Sequence, residues 1–502
     1  MAGRARSAFV RHWLFALILA AGLALRVLVD VAYWPTLLLF GDSYSYLGDA
    51  HRLQPQATHP LGYPLLLRAL SPAGSIAVVP IVQHLLGMAL GVLLYVLLLR
   101  LGVRRPLAAI AAAPVLLGGY QLDIEQFVLA ETLTDALLLS AMVVLLWRER
   151  TGTLRAGIVG LLLAGATLTR PAALAVVAVV GLYLLVRRWW RPLLAYAAVA
   201  IVALGGYSAW HAAADRSPGS SNLSGYFLYG RVAPFATCRY PLPGLESRLC
   251  PAQPVATRSR NPELYVWEPG SPIAQPGLGT RQQRNSLAMG FSLRVILHQP
   301  LDYASAVAAD TWHYFAPGRW MAPRTDTVDL RRWRFPAPGL QPERDRLHVF
   351  FANAGFDRRP LTPRPDFALM GPLRAYQSIV YTPGPALLAA LLGAGVVGAG
   401  LARLGAEHRR SRRRAWAALV LAGSGLALAL VPSLVTGFSY RYGLPLLVLL
   451  PPAGVVAADI GIDALRCRRL LDGLLRARRP SLADRPSLAD RPLLARWRPP
   501  CS

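Results

Sequence analysis

Long apolar runs alternate with short polar, arginine-rich breaks along most of the chain. Each run is about as long as a helix needs to be to cross a ~30 Å hydrocarbon core, at 1.5 Å rise per residue. The pattern predicts about ten spans, at 14–34, 76–99, 106–120, 128–147, 156–169, 171–186, 193–213, 381–403, 416–435 and 443–463. The expected fold class is therefore an all-α polytopic membrane protein with a mixed extracytoplasmic loop domain. Two spans, 156–169 and 171–186, are short and are separated only by Arg170 and Pro171. Either both are tilted or truncated at the outer face, or they form one hairpin whose tip sinks into a cavity. Irregular backbone at membrane depth is tolerated only where it lines such a cavity, which makes Arg170 a candidate functional residue.

Arginine clusters follow every second span. They are Arg100, Arg104 and Arg105; Arg148, Arg150 and Arg155; Arg187, Arg188 and Arg191; Arg409 to Arg414; and Arg466, Arg468 and Arg469. By the positive-inside rule this places both termini in the cytoplasm of a multi-pass plasma-membrane protein. The first run follows Arg4, Arg6 and Arg11, as a signal peptide would, but it is long for one and lacks a small-x-small cleavage site. It reads as a retained helix, with Arg26 and Asp30 paired one turn apart.

Four regions follow. Residues 1–213 form an N-terminal transmembrane module with an outer loop at 35–75. Residues 214–380, rich in Pro, Arg, Trp and Tyr and without a spanning run, form an extracytoplasmic domain. Within it, Arg281 to Leu297 and Leu301 to Phe315 read as two helices broken at Pro300, the second amphipathic and suited to a membrane surface. Cys238 and Cys250 lie close enough to close a small loop, and an oxidising compartment favours their disulfide. Residues 381–465 carry the last spans. The tail, 466–502, repeats Arg-Pro-Ser-Leu-Ala-Asp with a Pro in each unit and reads as disordered.

Composition supports the membrane reading. Of 502 residues, 54% are hydrophobic. The net charge of +27 would suggest nucleic acid in a soluble protein, but every basic residue is Arg, with no Lys. That bias fits a GC-rich coding sequence, and much of the charge sits where topology wants it, so no nucleic acid partner is expected. The sequence holds no zinc spacing, P-loop or dinucleotide fingerprint. No cofactor is expected, although a divalent metal on Asp42, Asp49 and His59 stays open.

The candidate chemistry lies in Phe40 to Ala50 and His59 to Pro64. A carboxylate at a bilayer boundary, here Asp42, is costly unless it is solvated, paired or used. The bland readings are a helix cap for Asp42, an interface-seeking side chain for Arg170, an aromatic-flanked anchor for Arg441, a local pair for Glu131 and a structural role for His59.

Several ordered motifs carry a family resemblance. They are an Arg in the first helix; Gly41-Asp42-Ser43-Tyr44-Ser45-Tyr46; His59-Pro60-x-x-Tyr63-Pro64; Glu131-Thr132; Leu168-Thr169-Arg170-Pro171; and Arg441-Tyr442 leading to Pro445. Together they resemble the GT-C glycosyltransferases that use polyprenyl-phosphate sugars, in particular protein-mannosyltransferase-like and aminoarabinose-transferase-like members. The segment Leu228 to Cys238 is similar to actinobacterial members. The resemblance implies transfer of a sugar from a polyprenyl-phosphate donor to a hydroxyl of a glycan, protein or lipid acceptor on the extracytoplasmic face. It implies Asp42 as general base, Arg170 and Arg441 holding the leaving phosphate, and inversion at the anomeric carbon. Glu131, His59, Tyr46, Tyr442 and Asp49 are the further substrate-binding candidates. Many relatives have Asp-Glu where this chain has Asp42-Ser43, so a second acidic residue, if the reaction needs one, comes from elsewhere, with Glu131 and Asp49 the candidates. A transporter or flippase of lipid-linked saccharides and a non-catalytic envelope-assembly protein are the competing classes.

Overall fold

The computed structural model describes residues 2–39, 41–54, 58–215, 223–318, 334–337, 355–356, 366–402 and 409–477. Among them the only regular structure is helical, apart from one isolated bridge between Leu37 and Phe127. The mixed character expected for 214–380 is therefore absent from the described part of that region, which is built from helices and turns. The repeat-bearing end of the tail lies outside the described residues.

The chain is a multi-pass, all-α membrane protein. Among the described residues, six helices are long and apolar enough to cross a bilayer. These are the apolar part of α1 (Ala2–Ala32), then α4 (Val78–Arg100), α10 (Trp190–Asp215), α16 (Gly384–Ala402), α17 (Arg409–Val435) and α18 (Leu444–Ala477). A seventh span arises if α5 (Arg105–Leu117) and α6 (Gly119–Gln126), bent by 43° at Gly118, are counted as one. About ten was the expectation. The difference lies in α7 (Glu131–Leu146), α8 (Thr153–Thr169) and α9 (Leu174–Val186), which have 16, 17 and 13 residues and are shorter than the six. The expected span 106–120 breaks at Gly118. The expected span 128–147 starts only at Glu131, because Phe127 is extended and pairs with Leu37.

The break between α5 and α6 explains the first helix. Pro114 cannot donate to the helical ladder, and Gly118 leaves helical geometry. Unpaired backbone groups within a bilayer are expensive. Arg26 of α1 reaches across and donates to Leu116 O at 2.8 Å and Val115 O at 3.2 Å. It also grips Glu125 of α6 through Nε to Oε2 at 2.8 Å and Nη2 to Oε1 at 2.9 Å. The expected pairing of Arg26 with Asp30 is thus replaced by a bidentate bridge to Glu125. His84 and Gln121 complete the carboxylate's bonds, each at 2.9 Å. Gly87 makes room, since a Cβ there would lie 1.9 Å from Glu125 Oε1.

The main core joins α4, α5, α7, α8, α9, α17 and α18 through Leu, Val and Ala side chains. Two short helices, α2 (Asp42–Arg52) and α3 (Gly62–Leu70), cover one end of this bundle. Above that end, α11 (Ser224–Val232), α12 (Pro262–Trp267) and α13 (Arg281–His298) pack around Tyr229, Phe291 and Leu278. Cys238 and Cys250 are disulfide-bonded there, as expected. After α13, α14 (Pro300–His313) starts at Pro300, where the sequence places the break, and lies against α17. The short α15 (Phe367–Ile379) packs on α1 and α6.

Candidate active site

The site forms where the ends of α2, α7, α8 and α18 meet, and local sequence explains each placement. Gly41 takes φ 92° before α2, a left-handed value that favours glycine. It turns the chain so that Asp42 opens the helix. Asp42 does not cap the helix with its side chain, so the cap reading fails. Ser43 is fully buried; it accepts from Leu39 N and donates to Val128 O, both at 2.9 Å.

Pro171 forces the residue before it out of helical geometry. Arg170 accordingly ends α8 at φ −144°, ψ 118°, and swings toward the first turn of α7. Gly62 lets α3 approach the last turn of α8, since a Cβ there would lie 2.5 Å from Leu168 O. Arg441 sits in a 3-10 turn, Tyr440–Gly443, at the start of α18. The loop before it is pinned from above. Asp310 of α14 accepts from Phe438 N at 3.2 Å and from Arg231 of α11 at 2.7 Å.

Four charges converge. Arg441 donates through Nη1 to Asp42 Oδ2 at 2.5 Å and through Nε to Glu131 Oε1 at 2.6 Å. Arg170 donates to the same Glu131 oxygen. Both guanidinium groups lie over Tyr442, at 5.0 Å for Arg170 and 5.5 Å for Arg441. His59 Nε2 is 3.3 Å from Asp42 Oδ1 and leans on Tyr46, ring centroids 4.6 Å apart. Tyr46 meets Tyr63 edge-on at 4.9 Å, and Tyr63 donates to Gln83 at 2.9 Å. Glu131 is 2% exposed and acts as the fixed anchor, whereas Asp42 keeps 24% of its side-chain surface and is the carboxylate an incoming group can reach.

Burial would raise the Asp42 carboxyl, but Arg441 and the His59 hydrogen bond outweigh it and hold the group well below the usual carboxylate range. It stays ionised. Burial, with Asp42 and Glu131 nearby, pushes the Tyr46 phenol up, so it remains a neutral donor. Asp49 belongs to a different local set: Ser45 donates to it at 3.4 Å and Arg52 is 3.8 Å away. Burial pushes its carboxyl up to about 6. Among the described residues no group of three His, Cys, Asp or Glu side chains is placed to hold a metal ion. Asp42, Asp49 and His59 do not form one.

The structure therefore gathers Asp42, His59, Tyr46, Glu131, Arg170, Arg441 and Tyr442, and turns buried Asp49 toward Ser45 and Arg52. Sequence reasoning missed Arg231 and Asp310, which hold the Arg441 loop, and His84 and Glu125, which lock the broken helix. Ionisable residues inside apolar runs were the available signal for the second pair. Nothing local marks the first.

No protein-family model matches the chain, and no curated protein matches it. Among solved structures, the archaeal oligosaccharyltransferase AglB from Archaeoglobus fulgidus, in complex with an inhibitory peptide and a dolichol-phosphate, is similar at 13% identity with a TM-score of 0.39. That likeness covers 94% of this chain and 53% of AglB, so the chain spans about half the length of that protein.

Proposed function

We propose that the chain is an integral membrane glycosyltransferase. It would move a sugar from a polyprenyl-phosphate donor to an acceptor hydroxyl at the extracytoplasmic face, with inversion. The observation that carries the reading is the convergence of Arg170 and Arg441 on one buried carboxylate beside one accessible carboxylate, Asp42. The ordered motifs of the sequence support the same reading.

The quartet is neutral, two guanidinium groups against two carboxylates. A sugar phosphodiester adds one negative charge and competes with Glu131 and Asp42 for the arginines, which bind phosphate in a fork. As Arg441 turns toward phosphate, Asp42 loses its strongest counter-charge and becomes a better base. The acceptor O–H then gives its proton to Asp42 while its oxygen attacks the anomeric carbon. The anomeric C–O bond to phosphate breaks, and both electrons leave with the phosphate, whose developing charge Arg170 and Arg441 meet. His59 and Tyr46 orient Asp42 and the approaching hydroxyl.

The test supplies the purified protein in lipid with mannose- and arabinose-bearing polyprenyl phosphates and a glycan acceptor. Transfer of labelled sugar with inverted anomeric configuration is expected. Arg441→Gln should weaken donor binding at least ~10-fold, the loss of one charge-assisted contact. No transfer across the donor panel, together with lipid translocation in vesicles, would replace this reading with the transporter.

A further inference from the structure

Three of the helices next to the Asp42 site, α7, α9 and α17, run to arginine-rich sequence at the far side of the bundle. Glu131 opens α7, which closes at Trp147. Arg170 precedes α9, which closes at Arg187. Arg441 follows α17, which opens with Arg409, Arg410, Arg412, Arg413 and Arg414. That far end divides into two clusters of opposite character.

The first cluster is balanced. Arg104 and Arg414 share Asp459 and Asp463, two cations on two anions. The second is not. The Arg187 guanidinium is held between two indoles, 4.9 Å from Trp189 and 5.4 Å from Trp416. Its Nε is buried without a hydrogen-bond acceptor. Arg413 donates to the carbonyls of Leu146 and Trp147 at 2.9 and 3.1 Å, and its Nε is buried without an acceptor. Arg100 donates to the same Trp147 carbonyl at 3.3 Å and lies 5.6 Å from its ring. Arg150 and Arg412 face Arg187, Arg100 faces Arg413, and neutral Tyr183 faces both Arg187 and Arg413. The carboxylate of Glu149 faces Arg413. Burial pulls the Arg187 pKa down, and Arg412 and Arg150 act in the same direction. Unbalanced cations held half-buried in fixed positions gain from an anion.

We propose that Arg187, Arg413 and Arg100, with Trp189 and Trp416, form a site for the phosphate headgroup of an anionic phospholipid at the end of the bundle opposite Asp42. Three features select a lipid headgroup. The group lies at helix ends, at the level where Trp residues collect in a bilayer. Basic pockets between spanning helices at that level suit anionic headgroups. Exposed apolar side chains continue from Arg187 into the membrane zone, with Leu185 42%, Val186 53% and Leu182 59% exposed, and offer a surface for the acyl chains. The planar guanidinium groups match phosphate oxygens and stay stacked while they do so.

The test uses the full chain in nanodiscs. Native mass spectrometry would count retained phosphatidylglycerol against phosphatidylcholine, for the parent, Arg187→Gln with Arg413→Gln, and Arg104→Gln from the balanced cluster. The parent should hold phosphatidylglycerol at least ~10-fold in preference, the double variant should lose that preference, and Arg104→Gln should keep it. Millimolar inorganic phosphate should not displace the lipid, and raising salt should weaken its retention in the parent itself, a readout that needs no variant to fold. Equal retention by the double variant, no preference in the parent, or displacement by free phosphate would each overturn the proposal. Sugar transfer by the Asp42 site is a separate readout, so the two proposals fail independently.

Discussion

Glu131 and Asp42 carry the same charge and do different work because their surroundings differ. Glu131 is buried under two arginines, whereas Asp42 shares Arg441 and keeps 24% of its side-chain surface exposed. The sequence marks Asp42, Arg170 and Arg441 as unusual, through a carboxylate at a boundary, an Arg-Pro break and an aromatic-flanked Arg. It does not say that both arginines meet on Glu131, because segments far apart in the chain must first fold together. Asp49 shows the reverse: its closeness to Asp42 in sequence suggested a partner, yet α2 turns it toward Ser45 and Arg52. Its raised carboxyl has a pH consequence. The folded state holds the Asp49 proton up to about 6, whereas an unfolded chain releases it near 3.9. Stability from this group is full below about pH 4 and is lost as pH rises through about 6. Asp49→Asn should remove that slope, up to about 1.4 kcal/mol per pH unit, in unfolding followed between pH 4 and 7. An unchanged slope would show that burial does not act on Asp49 in this way.

At the scale of elements, the bend between α5 and α6 explains why polar residues sit within apolar sequence. Pro114 and Gly118 break the helix, and Arg26, His84 and Gln121 satisfy Glu125 and the exposed carbonyls. Removing one partner of a buried ion pair strands the other, at about 3–5 kcal/mol. Glu125→Ala should lower stability by about that amount, and Glu125→Gln by less, because the amide oxygen can still accept from Arg26. Equal losses in thermal unfolding would show that the charge, not the hydrogen bonds, carries the stability. The sequence pattern places most long helices correctly, because a continuous apolar run leaves the backbone little alternative in lipid. It does not show where apolar runs are cut short, by Pro as at Pro171 or by an extended pairing as at Phe127. Hydropathy is blind to both. Arg26 and Asp30, one turn apart, suggested a local pair that the demands of the bent helix override.

At the scale of the molecule, the helical bundle holds the charged quartet at one end, and α11, α12 and α13, with the Cys238–Cys250 disulfide, stand over it. Opening the Cys238–Cys250 bridge should cost about 3 kcal/mol for a loop of this size. Thiol labelling without reductant should leave both cysteines unmodified, and ready labelling of both would contradict the bridge. The bond between Asp310 and the Phe438 amide couples this upper segment to the Arg441 loop, a connection that no stretch of sequence announces. The central claim is that Asp42 is the base and Arg170 and Arg441 hold the donor phosphate. Single-turnover sugar transfer by Asp42→Asn, with donor affinity measured on the same preparation, tests it most directly. The account predicts a rate ~10²–10⁴ lower with donor binding retained, the size of a lost general base. Transfer by Asp42→Asn at the parent's rate would contradict it.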